Sequence, residues 1–242
     1  MGALHGGHLS LVQKARTKVT KVVASIFVNP TQFAPGEDFD TYPRDESADR
    51  AKLDSAGCDL VYLPTVEEMY PEGTRTNVRV EQMSDLLDGI YRPHFFYGVA
   101  TVVARLFLHV QPDVAVFGEK DYQQLQIIRR MVEDLGFPIE ILGGETTRDV
   151  DVLAQSSRNL DLSPEQRRAA GAMQAALHRA SVRLSLGATP SDVLEEARRL
   201  IMASGFTEMN YVSLVDPASL EDLPDAPLSS GTVARLLGAA WL

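Results

Sequence analysis

A single cysteine, Cys58, stands among the 242 residues, so no internal disulfide can form and a reducing compartment is expected. It reads as a small apolar core residue. Basic charge is scarce as well: 23 Lys and Arg face 33 Asp and Glu, a net charge of -10. That balance argues against a nucleic-acid partner, because neutralising a phosphate backbone takes clustered cations. It leaves a nucleotide substrate open, since a few local donors hold one triphosphate against the global field. Long apolar runs are missing too, and none approaches the roughly 20 residues that cross a bilayer. The opening Met1-Gly-Ala-Leu-His5 shows no basic stretch followed by an apolar one, so no secretory leader is read and the cytoplasm is the expected location. No internal repeat is visible.

What is present is ordinary globular material, 45% hydrophobic and 23% charged, enough for one large domain or two modest ones. In the first half, strand-like and helix-like segments alternate. Leu9, Val12, Ala15 and Val19 recur at helical spacing, Val22 to Val28 reads as a buried strand, and Ala48 to Ala56 as a helix stopped by Gly57. Leu60 to Leu63 predicts a strand, Gly98 to Val110 a helix, Val114 to Phe117 a strand, Asp121 to Leu135 a helix, and Ile139 to Leu142 a further strand. Strands alternating with crossover helices imply an α/β fold with a doubly wound parallel sheet, whose ligands sit beyond the carboxyl ends of the strands. The pattern changes after Arg158. Ser163-Pro164 and Thr189-Pro190 open two helices, and Asn210 to Val215 and Val233 to Leu242 read as strands. The expected organisation is a domain over 1–148 and a small α+β domain over 149–242.

Four clusters carry chemistry. His5-Gly6-Gly7-His8 places two imidazoles three residues apart at a helix start, where unpaired N–H groups favour an anion. The same residues could equally serve only as a helix cap. Lys120, within Phe117-Gly118-Glu119-Lys120-Asp121, offers a point charge for a phosphate at a strand-to-helix turn, and Asp121 either caps the helix or accepts from ribose hydroxyls. Ser156-Ser157-Arg158 suits phosphate oxygens, although most such strings are solvated loops. Asn29 and Gln32 bring amides to the end of a strand, where Asn29-Pro30 is also a plain strand stop.

Taken jointly and in order, Met1-Gly-Ala-Leu-His5-Gly-Gly-His8, Ile26-Phe-Val-Asn-Pro-Thr-Gln-Phe33, Tyr42-Pro-Arg44, Gly98-Val-Ala-Thr-Val-Val103, Phe117-Gly-Glu-Lys-Asp-Tyr-Gln-Gln124 and Leu153-Ala-Gln-Ser-Ser-Arg-Asn159 resemble the successive motifs of the pantothenate synthetases. The resemblance runs over essentially the whole chain. It implies a Rossmann-like nucleotidyltransferase fold of the HxGH type, and an ATP-dependent ligase that joins pantoate to β-alanine through a pantoyl-adenylate. It further implies that His5 and His8 contact the ATP phosphates, Lys120 the phosphates and the reacting carboxylate, and Ser156, Ser157 and Arg158 a second phosphate clamp. Met1, Gly2, Ala3, Leu4, Gly6, Gly7, Phe117, Gly118, Glu119, Asp121, Thr147 and Gln155 would complete the ATP site. Asn29, Gln32, Arg92 and Gln124 would hold pantoate or β-alanine. Glu37 and Asp38 would lie near Mg2+, and the family is typically a homodimer. Alternative readings are a same-fold nucleotidyltransferase for another small acid, and a catalytically silent paralogue acting as a binding protein.

Three departures accompany the resemblance. The family has an earlier segment holding the first strand, and usually continues beyond Leu242, so both ends are expected to be clipped. Phe95 stands where the family has histidine, with His94 one place earlier, while Arg92 matches. Val152 replaces a glycine before Leu153-Ala154, which is expected to stiffen or strain the link into Ser156-Ser157.

Overall fold

The computed structural model describes residues 3–33, 39 and 44–242. The chain divides into two compact units: Met1–Asp85, Arg92–Thr147 and Ala154–Ser157 form the first, and Leu86–Tyr91, Arg148–Leu153 and Arg158–Leu242 the second.

In the first unit, α1 (Gly6–Arg16) carries Lys14 and Arg16 in its last turn, where cations complement the helix dipole. Its apolar stripe buries Val12 in a core with Leu4, Val22 and Leu53, against which Leu9, Ala15, Val19 and Cys58 also lie. The β1 strand (Val23–Ser25) is followed by α2 (Glu46–Ser55), which starts where the Asp45 carboxylate accepts the Ala48 N–H. The β2 strand (Leu60–Tyr62) then pairs in parallel with β1, Val23 opposite Leu60. One turn of helix, α3 (Val66–Met69), is closed by a Thr65–Glu68 capping box.

In the second unit α4 (Asp88–Tyr91) is again a single turn. Back in the first, α5 (Phe95–Val110) buries Phe96, Val99, Ala100, Val103 and Phe107. A second parallel ladder joins β3 (Val114–Gly118) to β4 (Glu140–Gly144), Val114 opposite Glu140 and Gly118 opposite Gly144. The crossover helix α6 (Tyr122–Leu135) stops at Gly136, whose φ of 64° is the left-handed value that glycine adopts cheaply. Parallel strands need such crossovers, and both pairs have one. Among the described residues these are two separate two-stranded ladders. The expected long strand over Val22 to Val28 is a three-residue strand, because its partner β2 ends at Tyr62, whose carbonyl accepts the Ile26 N–H at 3.0 Å. The α1 helix lies against the second ladder: a Cβ on Gly144 would run into a Leu11 methyl, and Lys14 bonds the Gly143 carbonyl.

The second unit pairs α7 (Pro164–Ser185) and α8 (Pro190–Ala203) with an antiparallel hairpin of β5 (Glu208–Val215) and β6 (Arg235–Trp241). Ser163 caps α7 in a capping box with Gln166. The core is Ala176, Ala180, Leu184, Val193, Ala197, Ile201, Val212 and Leu214. The linking segment 148–153 is held by Arg167, whose guanidinium bonds Asp149 at 2.7 Å and Asp151 at 2.8 Å.

Candidate active site at the head of the first helix

The main-chain donors of a helix's first turn have no partner inside the helix. In α1 the two histidines take that role reciprocally. His5 Nδ1 accepts the Gly7 N–H at 3.2 Å, and His8 Nδ1 accepts the His5 N–H at 3.2 Å. A backbone N–H can only donate, so both Nδ1 atoms are unprotonated and each ring carries its proton on Nε2. The ring centroids are 4.0 Å apart. Burial, then the neighbouring His5, with Lys120 and Lys52 adding, hold the His8 imidazole down at about 3. At a helix start, the neutral His8 ring beside His5 offers an N–H donor that can polarise a phosphoryl group. The helix-cap alternative therefore describes these same atoms: capping sets the tautomer that a phosphate contact needs.

Around this pair stand several other expected residues. The Gln155 carboxamide oxygen accepts the Gly7 N–H at 2.7 Å, and its main-chain N–H bonds the Thr147 carbonyl at 2.9 Å. Lys120 Nζ reaches the Gln155 carbonyl at 3.4 Å, and Thr147 Oγ1 lies 3.0 Å from Ser10 Oγ. Gly6 has a side-chain reason to be glycine, since a Cβ there would meet the Gln155 oxygen at 2.7 Å. At the end of β3, Gly118 has open space where a Cβ would project, and Glu119–Asp121 forms a 3-10 turn. Asp121 makes no side-chain cap bond to α6 and is exposed, so the capping alternative is corrected: its carboxylate is turned to solvent. The Phe117 ring packs edge-on to Phe107, 6.3 Å between centroids.

A second cup gathers amides. Asn29 is 3% exposed; its Nδ2 donates to Gln32 Oε1 at 2.9 Å and to the Gly98 carbonyl at 3.1 Å. Arg92 donates to the Gln32 carbonyl at 3.3 Å, with its guanidinium 4.0 Å from the centre of the Phe95 ring. The residue that replaces the expected histidine is thus a platform for the arginine that matches. In the first turn of α6, Gln123 is buried and donates to the Met83 carbonyl at 2.9 Å, whereas Gln124 is half-buried.

Ser156 is half-buried and Ser157 buried at the start of a 3-10 turn, Ser157–Asp161; Arg158 is exposed and belongs to the second unit. Met1, Gly2, Glu37 and Asp38 lie outside the described residues. Among the described residues no group of three or more His, Cys, Asp or Glu could hold a metal ion. Val152 has φ of 62°, the left-handed region, and its carbonyl accepts from Arg148 at 3.1 Å.

Sequence reasoning missed two groups. Asp49, 1% exposed on α2, accepts the Leu4 N–H at 2.7 Å, and Lys52 donates to the Leu4 carbonyl at 2.7 Å, fixing the chain just before His5. Both look like ordinary charges of an amphipathic helix; only the exclusion of Asp49 from solvent marks it. Tyr70, at the end of α3, donates to Asn29 Oδ1 at 2.7 Å.

The family described as pantoate-beta-alanine ligase matches residues 1–242. The pantothenate synthetase of Hyphomonas neptunium is 72% identical over 243 residues, covering all of this chain and 83% of that protein. That of Caulobacter vibrioides is 50% identical over 242 residues, covering all of this chain and 85% of the relative. A crystal structure of pantothenate synthetase from Thermus thermophilus superposes with a TM-score of 0.92 at 49% identity, covering 99% of this chain and 86% of that one. Pantoate-beta-alanine ligase from Francisella tularensis, crystallised with beta-gamma ATP and beta-alanine, superposes with a TM-score of 0.78 at 31% identity, over 99% of this chain and 87% of that one. With its motifs in order and its fold shared over nearly every residue, the chain belongs to the pantoate-beta-alanine ligase family.

Proposed function

We propose that this ligase, which forms a C–N bond, condenses pantoate with β-alanine through a pantoyl-adenylate, releasing AMP and diphosphate. The observation that carries the proposal is the tautomer lock at α1: two imidazoles whose Nδ1 atoms are committed to backbone N–H groups, leaving Nε2–H as the donor, beside Lys120. A pantoate carboxylate oxygen attacks the α-phosphorus of MgATP and the bond to the β,γ-diphosphate breaks. The amine of β-alanine then attacks the acyl carbon, AMP leaves, and the amine loses a proton. In the first step charge grows on phosphoryl oxygens, so positioned donors and a cation are what the chemistry asks of the protein. His5, His8 and Lys120 supply these. The family resemblance assigns Ser156, Ser157 and Arg158 a second clamp and Gln124 a pantoate contact. Mg2+ enters with ATP, because that ion is commonly held through substrate phosphates and few protein carboxylates. The lone Cys58 supports a cytoplasmic setting, and the resemblance supports a homodimer.

His8→Ala or Lys120→Ala is expected to lower turnover by about two to three decades with the fold retained, as removal of one preorganised donor does. A coupled AMP-release assay measures this, with circular dichroism as the fold control. Near-normal turnover by both variants would overturn the proposal.

A further inference from the structure

We propose that Tyr70 is a positioning residue that holds the Asn29 amide in the orientation fixing which face of Gln32 meets the substrate, and so sharpens the selectivity of the second cup for a carboxylate-bearing hydroxyacid; this rests on the function proposed above. The two ends of the Asn29 carboxamide look alike until their partners are identified. The Thr31 main-chain N–H, which can only donate, points at one end of the Asn29 amide at 3.3 Å. The Gly98 carbonyl, which can only accept, lies 3.1 Å from the other. Those two backbone groups make the first end Oδ1 and the second Nδ2.

Tyr70 and Thr31 then reinforce that choice. The Tyr70 hydroxyl reaches Oδ1 at 2.7 Å and the Thr31 hydroxyl reaches it at 3.0 Å, with 3.3 Å between the two hydroxyls. The Tyr70 contact is the shortest of the three on this oxygen. Tyr70 is itself held: it ends α3, its N–H bonds the Val66 carbonyl at 2.7 Å, its ring lies 5.4 Å beneath the Arg105 guanidinium, and Phe27 is 6.4 Å away on another side. Asn29 Nδ2, so oriented, donates to Gln32 at 2.9 Å, which must therefore present Oε1 toward Asn29. Gln32 is left with its amide N–H groups as what it offers elsewhere. An N–H donor suits the oxygens of a carboxylate or hydroxyl and disfavours a ligand that brings only donors. Hydrogen bonds linked in series through one amide polarise one another, so loss of the first weakens the last.

The test compares wild type with Tyr70→Phe, which keeps the ring and removes the hydroxyl. The expected result is a rise of about tenfold in the KM for pantoate, with the KM for ATP and for β-alanine within about twofold and kcat less affected. Thr31→Val, which acts on the same oxygen from a different residue, is expected to move the same constant, and serves if Tyr70→Phe proves unstable. An unchanged pantoate KM in both variants, or an equal rise for all three substrates, would overturn the relay. Side-chain amide exchange by 15N NMR gives a readout that needs no turnover. Asn29 Nδ2 hydrogens should exchange slowly in the ligand-free wild type and faster in Tyr70→Phe; equal rates refute the relay. If the wild type fails to use pantoate at all, the proposed function falls, and the exchange rates alone decide the relay.

Discussion

At the scale of single residues, burial and backbone conformation set the state of individual groups. His8 is the clearest. In the unfolded chain its imidazole takes up a proton near pH 6.5, whereas in the folded protein burial delays this to about 3. Below pH 6.5 the unfolded state therefore binds a proton that the folded state refuses, and stability is lost as pH falls through the window from 6.5 toward 3. Between pH 7.5 and 5 this contribution is about 1–2 kcal/mol. In His8→Gln, which never titrates, the drop in melting temperature over that interval should be smaller than in the wild type by about 2–8 °C. Thermal melts at the two pH values check it, and equal drops refute it. Val152 is the second case. A β-branched residue at φ 62° costs about 1–2 kcal/mol relative to an unstrained backbone, and at 48% exposure its side chain gains little from packing. Val152→Gly is expected to raise the melting temperature by about 2–4 °C per kcal/mol relieved, read by calorimetry. The substitution was visible in the chain as Leu153-Ala154 preceded by valine; the left-handed backbone that makes it matter was not.

At the scale of elements, caps and periodicity made most helices readable. Ser163-Pro164 and Thr189-Pro190 start α7 and α8 where their chemistry says, and Gly136 ends α6. Short elements were not readable: α3, α4 and the 3-10 turn Pro30–Gln32 are held by a few capping bonds and by neighbours, too short for any period to show. That turn matters most, because it presents Asn29 and Gln32, and α5 presses on it so closely that a Cβ on Gly98 would lie 2.6 Å from the Thr31 carbonyl oxygen. The obstacle is backbone and cannot rotate away. Gly98→Ala should cost about 1–3 kcal/mol and raise the pantoate KM severalfold while leaving that for ATP nearly unchanged. Denaturant titration and initial-rate kinetics measure both parts, and an unaltered pantoate KM would show that the turn has room to move.

At the scale of the whole molecule, ligand and stability are linked. The histidine pair, Lys120, Thr147 and Gln155 all belong to the first unit. ATP at one hundred times its dissociation constant should therefore stabilise that unit by about 2.7 kcal/mol. The melting transition that loses α1 is expected to move up with ATP concentration in the wild type and much less in Lys120→Ala. A transition indifferent to ATP would count against nucleotide binding at this helix.

The chain's local chemistry was enough to name the fold class, the HxGH helix start, the lysine turn and the amide pair, because each is a short motif whose spacing or capping acts within a few residues. Folding decided the rest. Asp49 and Lys52 meet Leu4 from more than forty positions away, Tyr70 reaches Asn29 across forty-one, and Gln155 reaches Gly7 across 148. No period or motif encodes such meetings. They exist because packing removes water from a few polar groups, and a group without water takes whatever partner the tertiary fold has brought within reach.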